Sequence, residues 1–188
     1  MTGDTTGYTG ICDADYFCRI DEWSEDEVLD TIRLNAFFHL QLIQRLLPQL
    51  RRSSGPVLVL NTGSLSGDFP PPRLAVYSAS KRFMEISCGL AMDEDDHTPT
   101  NVKFMYVIVG PVATNAWPLQ RSASSTCPDA KTFARAIIDR IGCNRRRLMP
   151  YVNHTIFDWC CGALGLDVQE MVVGFIIKTV LMMDGKEI

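Results

Sequence analysis

Two short runs constrain the fold of this chain more than anything else in it. Val57-Leu58-Val59-Leu60 is wholly apolar, and Val102 to Val109 is nearly so. Strands that lack apolar–polar alternation are buried on both faces, the environment of a parallel sheet covered by crossover helices. The rest of the pattern agrees. Ser24-Glu25-Asp26-Glu27 reads as a capping box opening a long helix, in which Val28, Ile32, Ala36, Leu40, Ile43 and Leu47 keep helical spacing until Pro48 and the loop 51–56. A second helix is expected over roughly 73–93, closed by Asp93 to Asp96 and Pro99, and a third over about 129–141 with Gly142 as its C-cap. Asp167-Val168-Gln169-Glu170 reads as the N-cap of a last helix, whose apolar run Met171 to Met183 is interrupted by Lys178. Strands alternating with helices give an α/β class with a parallel sheet.

Composition removes several function classes. The chain has 188 residues, 46% of them hydrophobic, which is enough for one real core, and its net charge of −4 is the wrong sign for a phosphate-binding surface. Nucleic acid is therefore not an expected partner. Seven cysteines include no Cys-x-x-Cys, and three scattered histidines give no zinc-ligand spacing, so no metal is expected. The odd cysteine count and the absence of a secretory signal at Met1 favour a reducing compartment. Vicinal Cys160-Cys161 reads as buried packing and Arg145-Arg146-Arg147 as a solvated loop, with a CoA phosphate or an anionic membrane surface as the alternative for the arginines. The Met171 to Met183 run is shorter than the ~20 apolar residues that span a bilayer. It reads as a core or lid helix over an apolar pocket.

The chemistry is concentrated in Tyr77-Ser78-Ala79-Ser80-Lys81. Residues at i and i+4 share a helix face, so a phenol and an ammonium stand one turn apart. Ser64 lies 13 positions before the tyrosine, at the end of the first apolar run. The three together offer a proton donor, a cation to tune it and a hydroxyl to polarise a carbonyl. An ammonium so placed is expected to lower the phenol from its ordinary pKa of about 10.

On these residues the chain resembles the short-chain dehydrogenase/reductase family, whose signature is Tyr-x-x-x-Lys with a serine at this offset. Residues 70–81 and Gly110-Pro111-Val112-Ala113-Thr114 are similar to the branch of 17β-hydroxysteroid dehydrogenases and very-long-chain 3-oxoacyl-CoA reductases. The resemblance implies a Rossmann-like parallel sheet with flanking helices and a catalytic set of Asn35, Ser64, Tyr77 and Lys81. Asn35 lies 42 residues before the tyrosine, where the family places its asparagine. The resemblance also implies an NADP or NAD cofactor, NADP ahead of NAD, held by Tyr77, Lys81, Gly110 and Thr114. Val109 stands where the family has a proline in that loop. Trp117 and Leu119 fall in the region that lines substrate in relatives, and the substrate implied is a lipid-like carbonyl or alcohol, a steroid or a 3-oxoacyl-CoA.

The front of the chain departs from the family. Gly3, Gly7 and Gly10 imitate the glycine-rich phosphate turn, but no strand precedes Gly3 and only 32 residues separate it from Asn35. Gly10, 25 residues before Asn35, fits better as the loop after the family's fourth strand. On this reading residues 1–188 form one Rossmann-like domain without the first β-α-β units: 1–22 a loop remnant, 23–151 the catalytic half and 152–188 a helical lid or substrate region. The expected function is NAD(P)-dependent oxidoreduction, weak in these residues alone. The alternative is an inactive remnant that pairs through its helices, with Leu40, Ile43, Phe83 and Ile86 as contributors to a homodimer. The expected location is cytoplasmic or peripheral at the endoplasmic reticulum, neither secreted nor membrane-spanning.

Overall fold

The computed structural model of the protein describes residues 19–96, 101–114, 122–163, 168–169, 171–175 and 179. After a short 3-10 turn at Ile20–Glu22, the elements run α1 (Glu25–Ile32), a π-turn (Arg33–Phe37), α2 (Phe38–Leu50), β1 (Val57–Thr62), α3 (Ala75–Asp96), β2 (Val102–Val107), α4 (Ala130–Ile138), β3 (Arg147–Leu148) and α5 (Val152–Ala163). The three strands form one parallel sheet in the order β1-β2-β3, with Val57 opposite Val102 and Tyr106 opposite Arg147.

The Ser24 box forms as the sequence predicts. The Ser24 hydroxyl accepts from Glu27 N–H, and the Glu27 carboxylate accepts from Ser24 N–H at 2.8 Å. The helix it opens is not uniform: it passes through a π-turn around Asn35 and runs to Leu50, beyond Pro48. The last turn closes all the same, because Arg51 N–H reaches Leu47 O at 3.0 Å. β2 ends its regular ladder at Val107, yet Ile108 N–H bonds Leu148 O and Val109 O accepts from Leu65 N–H, so pairing carries the extended chain as far as expected. α4 stops at Ile138, short of the expected 141, and Gly142 closes the turns beyond it at a φ of 92° that favours glycine.

The register sorts the side chains. Val57 and Val59 on β1, with Val102, Phe104, Tyr106 and Ile108, face α2 and α3, where Ile43, Leu47, Met84 and Cys88 complete the main core. Met105, Val107 and Leu148 face the other way, toward Ile137 of α4. Leu58 and Leu60 alternate out of the main core and stay 37% exposed. The Arg145–Arg147 loop reading is corrected at Arg147. This residue is in β3, where its guanidinium bonds Glu85 at 2.7 Å and also Asp68; Arg82 completes the cluster at 3.0 Å from Asp68 and 2.7 Å from Glu85. The polar run hid the strand because its one inward residue, Leu148, comes after the charges. Of the vicinal cysteines only Cys161 is buried and Cys160 is exposed. Met171 and Phe175 are 67% and 71% exposed, so neither packs as a core helix would require.

Cys88 makes the core sensitive to alkali. It is fully buried with its Sγ 3.4 Å from His39 Nε2, and burial, reinforced by Glu85, pushes the thiol from an ordinary 9.0 up to about 12. Below pH 9 both folded and unfolded chains keep the proton; above it only the unfolded chain loses it. Stability therefore falls as pH rises through this window, by about 1.4 kcal/mol per unit. Urea midpoints taken between about pH 8 and 10 are expected to decline, and Cys88→Ala is expected to flatten the slope. An unchanged slope in that variant would remove the thiol from the account.

Candidate active site

Ser64 is fixed by the ladder on both sides of it. Gly63 N–H bonds Val107 O at 2.7 Å and Leu65 N–H bonds Val109 O at 2.8 Å, so the residue between them leaves the end of β1 in extended geometry. Its hydroxyl accepts from Ser66 N–H at 3.2 Å and stands 2.8 Å from Ser66 Oγ, capping a short 3-10 turn. Gly63 is required here by close approach: a Cβ on it would lie 2.1 Å from Tyr106 Cζ. Tyr106 rises from β2, 3% exposed, and its hydroxyl donates to Lys81 O at 3.3 Å. One side chain thus touches both the serine loop and the tyrosine helix.

α3 brings Tyr77 and Lys81 to that loop. The turn leading into it places Arg73 at a φ of 68°, uncommon for a non-glycine residue. Lys81 Nζ stands 5.5 Å from the centroid of the Tyr77 ring, within cation–π range. Burial holds the Tyr77 phenol above its ordinary value, and hydrogen bonding with Ser64 acts against that shift. Burial likewise holds the Lys81 ammonium below its ordinary value. The expectation that the ammonium lowers the phenol is therefore corrected. The cation lies against the ring and is itself disfavoured by the same desolvation, so burial dominates both groups.

Asn35 is 9% exposed, and its Nδ2 donates to Thr31 O at 3.1 Å within the π-turn, where Phe38 N–H reaches back to Arg33 O. Turns of this kind cluster at functional sites, and this one gives the poor helix former Asn35 its place. Asn35 and Lys81 line a groove of about 330 Å³ together with the polar His39 and Asn61 and the apolar Leu42 and Leu46. Ser64 and Tyr77 are not among the residues lining it, and Lys81 connects it to them. The structure therefore brings Ser64, Tyr77 and Lys81 together and joins Asn35 to Lys81 through the groove.

Gly110 and Thr114 lie on the loop after β2, which is pinned at Ala113 N–H to Pro128 O at 2.9 Å. A side chain on Gly110 would collide with the His154 ring, whose nearest atom is 2.7 Å from the Cβ position. His154, on α5, is 3% exposed, bonds Thr126 O through Nε2 at 3.1 Å, and is held below its ordinary pKa by burial. Trp117 and Leu119 lie outside the described residues.

Sequence reasoning missed Tyr106 and His154, which support the serine loop and the Gly110 loop. The available signal was glycine at strand ends, at Gly63 and Gly110, where another group approaches the backbone closely.

Known proteins resemble this chain in sequence and in fold. The profile of the short chain dehydrogenase family matches residues 9–124. The chain belongs to that family. The very-long-chain 3-oxoacyl-CoA reductase of Coccidioides immitis is 31% identical over 159 residues, covering 84% of this chain and 43% of that protein. The enzyme of the same name from Aspergillus fumigatus is 30% identical over 158 residues, covering 80% and 44%. The chain thus spans less than half the length of these curated relatives. Among solved structures, a short-chain dehydrogenase from Sphingobium yanoikuyae in complex with NADPH superposes with a TM-score of 0.62 at 18% identity, covering 77% of this chain and 57% of that one. An alcohol dehydrogenase from Thermococcus sibiricus complexed with 5-hydroxy-NADP gives 0.56 at 22%, covering 74% and 60%. At these identities the structures establish the α/β fold of the family.

Proposed function

We propose that this chain carries the catalytic half of an NADP(H)-dependent reductase acting on a lipid-like carbonyl, with 3-oxoacyl-CoA the first substrate class to test and a steroid ketone the second. The observation that carries the reading is the approach of the Ser64 hydroxyl to the Tyr77 phenol, with Lys81 Nζ 5.5 Å from the tyrosine ring. The donor set fits the cofactor: Lys81 has no carboxylate partner among the described residues, and it shares its groove with Asn35. Lys81, Gly110 and Thr114 would hold the nicotinamide end. Bound NADPH would supply a hydride. The Ser64 O–H donates to the substrate carbonyl oxygen as charge develops there, and Tyr77 gives that oxygen its proton. A phenol kept protonated by burial is already in the state that reduction needs. Asn35, anchored on the Thr31 carbonyl, supports the route by which Tyr77 regains a proton.

Titrating the 188-residue chain with NADPH by calorimetry tests the reading, alongside the same residues joined to the N-terminal portion of a relative. The chain spans less than half the length of its curated relatives, so alone it is expected to bind weakly, while the joined protein reduces 3-oxoacyl-CoA. Saturable micromolar binding by the chain alone overturns the half-site reading. A joined protein that binds NADPH but reduces neither substrate class overturns the reductase.

One observation favours a second reading, a pairing module. Phe37, Leu40, Phe83 and Ile86 are 51%, 36%, 44% and 53% exposed, and the rings of Phe37 and Phe83 stand 6.4 Å apart, so an apolar patch faces outward from the helix layer. Ile43, expected in that patch, packs into the main core instead.

A further inference from the structure

The loop after β2 is anchored at both ends. Val109 O accepts at 2.8 Å from the N–H of Leu65, the residue after Ser64, and Ala113 N–H reaches Pro128 O at 2.9 Å. Between these anchors Gly110 lies against the His154 ring. A Cβ on Gly110 would stand 2.7 Å from Nδ1 and 2.9 Å from both Cγ and Cε1. Those near-equal distances place the glycine over the ring face beside Nδ1, since an approach along the Nδ1 lone pair would leave the two carbons clearly farther away.

The ring is held from its other end. Tyr151 Oη and Asn153 Nδ2 donate to Ser125 O, and His154 Nε2 donates to Thr126 O at 3.1 Å, so the start of α5 grips two consecutive carbonyls. Phe133 of α4 and Tyr151 pack on the ring at centroid distances of 5.9 and 5.0 Å. A carbonyl only accepts, so Nε2 carries the proton and Nδ1 of the neutral ring carries none. Nδ1 is buried without a hydrogen-bond partner among the described residues. The neighbouring Pro111 carbonyl would accept there only from a second proton, which burial opposes more strongly than that carbonyl favours it. No charge intervenes. Phe133, Tyr151 and residues 110–114 are uncharged, the Asp129 carboxylate is engaged by Thr132, and Asp158, one turn along α5, acts on Arg147.

On the reductase reading above, we propose that His154 is the positioning residue of the cofactor loop: a neutral ring, protonated on Nε2 alone, that spans from Thr126 to Gly110 and sets the depth at which Gly110 and Thr114 receive the nicotinamide. The effect reaches the chemistry as well. Gly110 directly follows the Val109 carbonyl that fixes Leu65, so a loop that settles into the space of a missing ring pulls on the bond that places Ser64.

Ring-nitrogen NMR of the unsubstituted 188-residue chain tests the proton placement without cofactor, and Overhauser contacts to the Gly110 α-protons identify the His154 ring. It is expected to show the Nε2–H tautomer and to stay mainly neutral at pH 6.5, the ordinary imidazole value. A proton on Nδ1 alone, a half-charged ring at that pH, or no contact with Gly110 overturns the proposal. In the protein joined to the N-terminal portion of a relative, His154→Ala is expected to weaken NADPH binding at least ~10-fold by calorimetry, short of the ~10²-fold that a misplacement of about 1 Å can cost in rate. KM for 3-oxoacyl-CoA should stay as it is. His154→Gln, which keeps a donor within reach of Thr126 O, is expected to fall between the two. A merely structural role would lower the thermal midpoint and the active fraction only. An NADPH Kd unchanged in both variants, or in His154→Gln where the alanine variant does not fold, therefore overturns the proposal. A joined protein with His154 intact that fails to bind NADPH overturns the reductase reading, and the role of His154 with it.

Discussion

Tyr77→Phe is expected to cut NADPH-dependent carbonyl reduction by roughly 10²–10⁴-fold in the form of the protein that turns over, the range by which positioned proton donors accelerate reactions. The substitution keeps the ring against which Lys81 Nζ stands at 5.5 Å and removes only the hydroxyl that meets Ser64. Substrate binding should therefore change little while kcat falls, the signature of an interaction made mainly in the transition state. Ser64→Ala should follow the same pattern, because it removes the donor at the carbonyl oxygen. Single-turnover kinetics with saturating NADPH separate the chemical step from release. A Tyr77→Phe enzyme with an unchanged single-turnover rate would show that the proton comes from elsewhere.

Gly63→Ala is expected to be among the most destabilising single substitutions in the serine loop, costing about 3 kcal/mol or more. The added Cβ would lie 2.1 Å from Tyr106 Cζ and 2.6 Å from Cε1, distances no relaxed pair of atoms holds. Tyr106 has little room to retreat, being 3% exposed within the main core and bonded to the Lys81 carbonyl. The ring and the loop must then separate, which moves Ser64 away from Tyr77 as well. Combining Gly63→Ala with Tyr106→Leu should recover part of the loss, since the shortened side chain vacates the contested space. Urea denaturation of the two single variants and the double variant measures this coupling, and strictly additive losses would deny that the ring and the glycine compete.

What the sequence disclosed follows from the range of each signal. Local chemistry was legible: the Ser24 box, the helix carrying Tyr77 and Lys81, and both apolar strands stand where their patterns put them. The short step from Ser64 to Tyr77 was legible too, because only the loop between the end of β1 and the start of α3 separates them. Arg147 was not. Its role depends on partners 62 and 79 positions away, which no local pattern announces. The direction of the Tyr77 shift was misread for a related reason: helical spacing shows that an ammonium is near, whereas desolvation depends on everything packed around both groups.

The Asp68–Arg147–Glu85–Arg82 cluster also sets an order of assembly. β3 is two residues long and brings little ladder of its own, so the charged groups do much to fix it against α3 and the serine loop. Those groups meet only after the intervening chain has closed, and loop closure over such separations is slow compared with helix formation. The third strand is thus expected to dock late. Because both guanidinium groups remain about half open to solvent, with side-chain exposures of 51% and 44%, salt in the medium reaches the contacts that close the fold more readily than those that begin it.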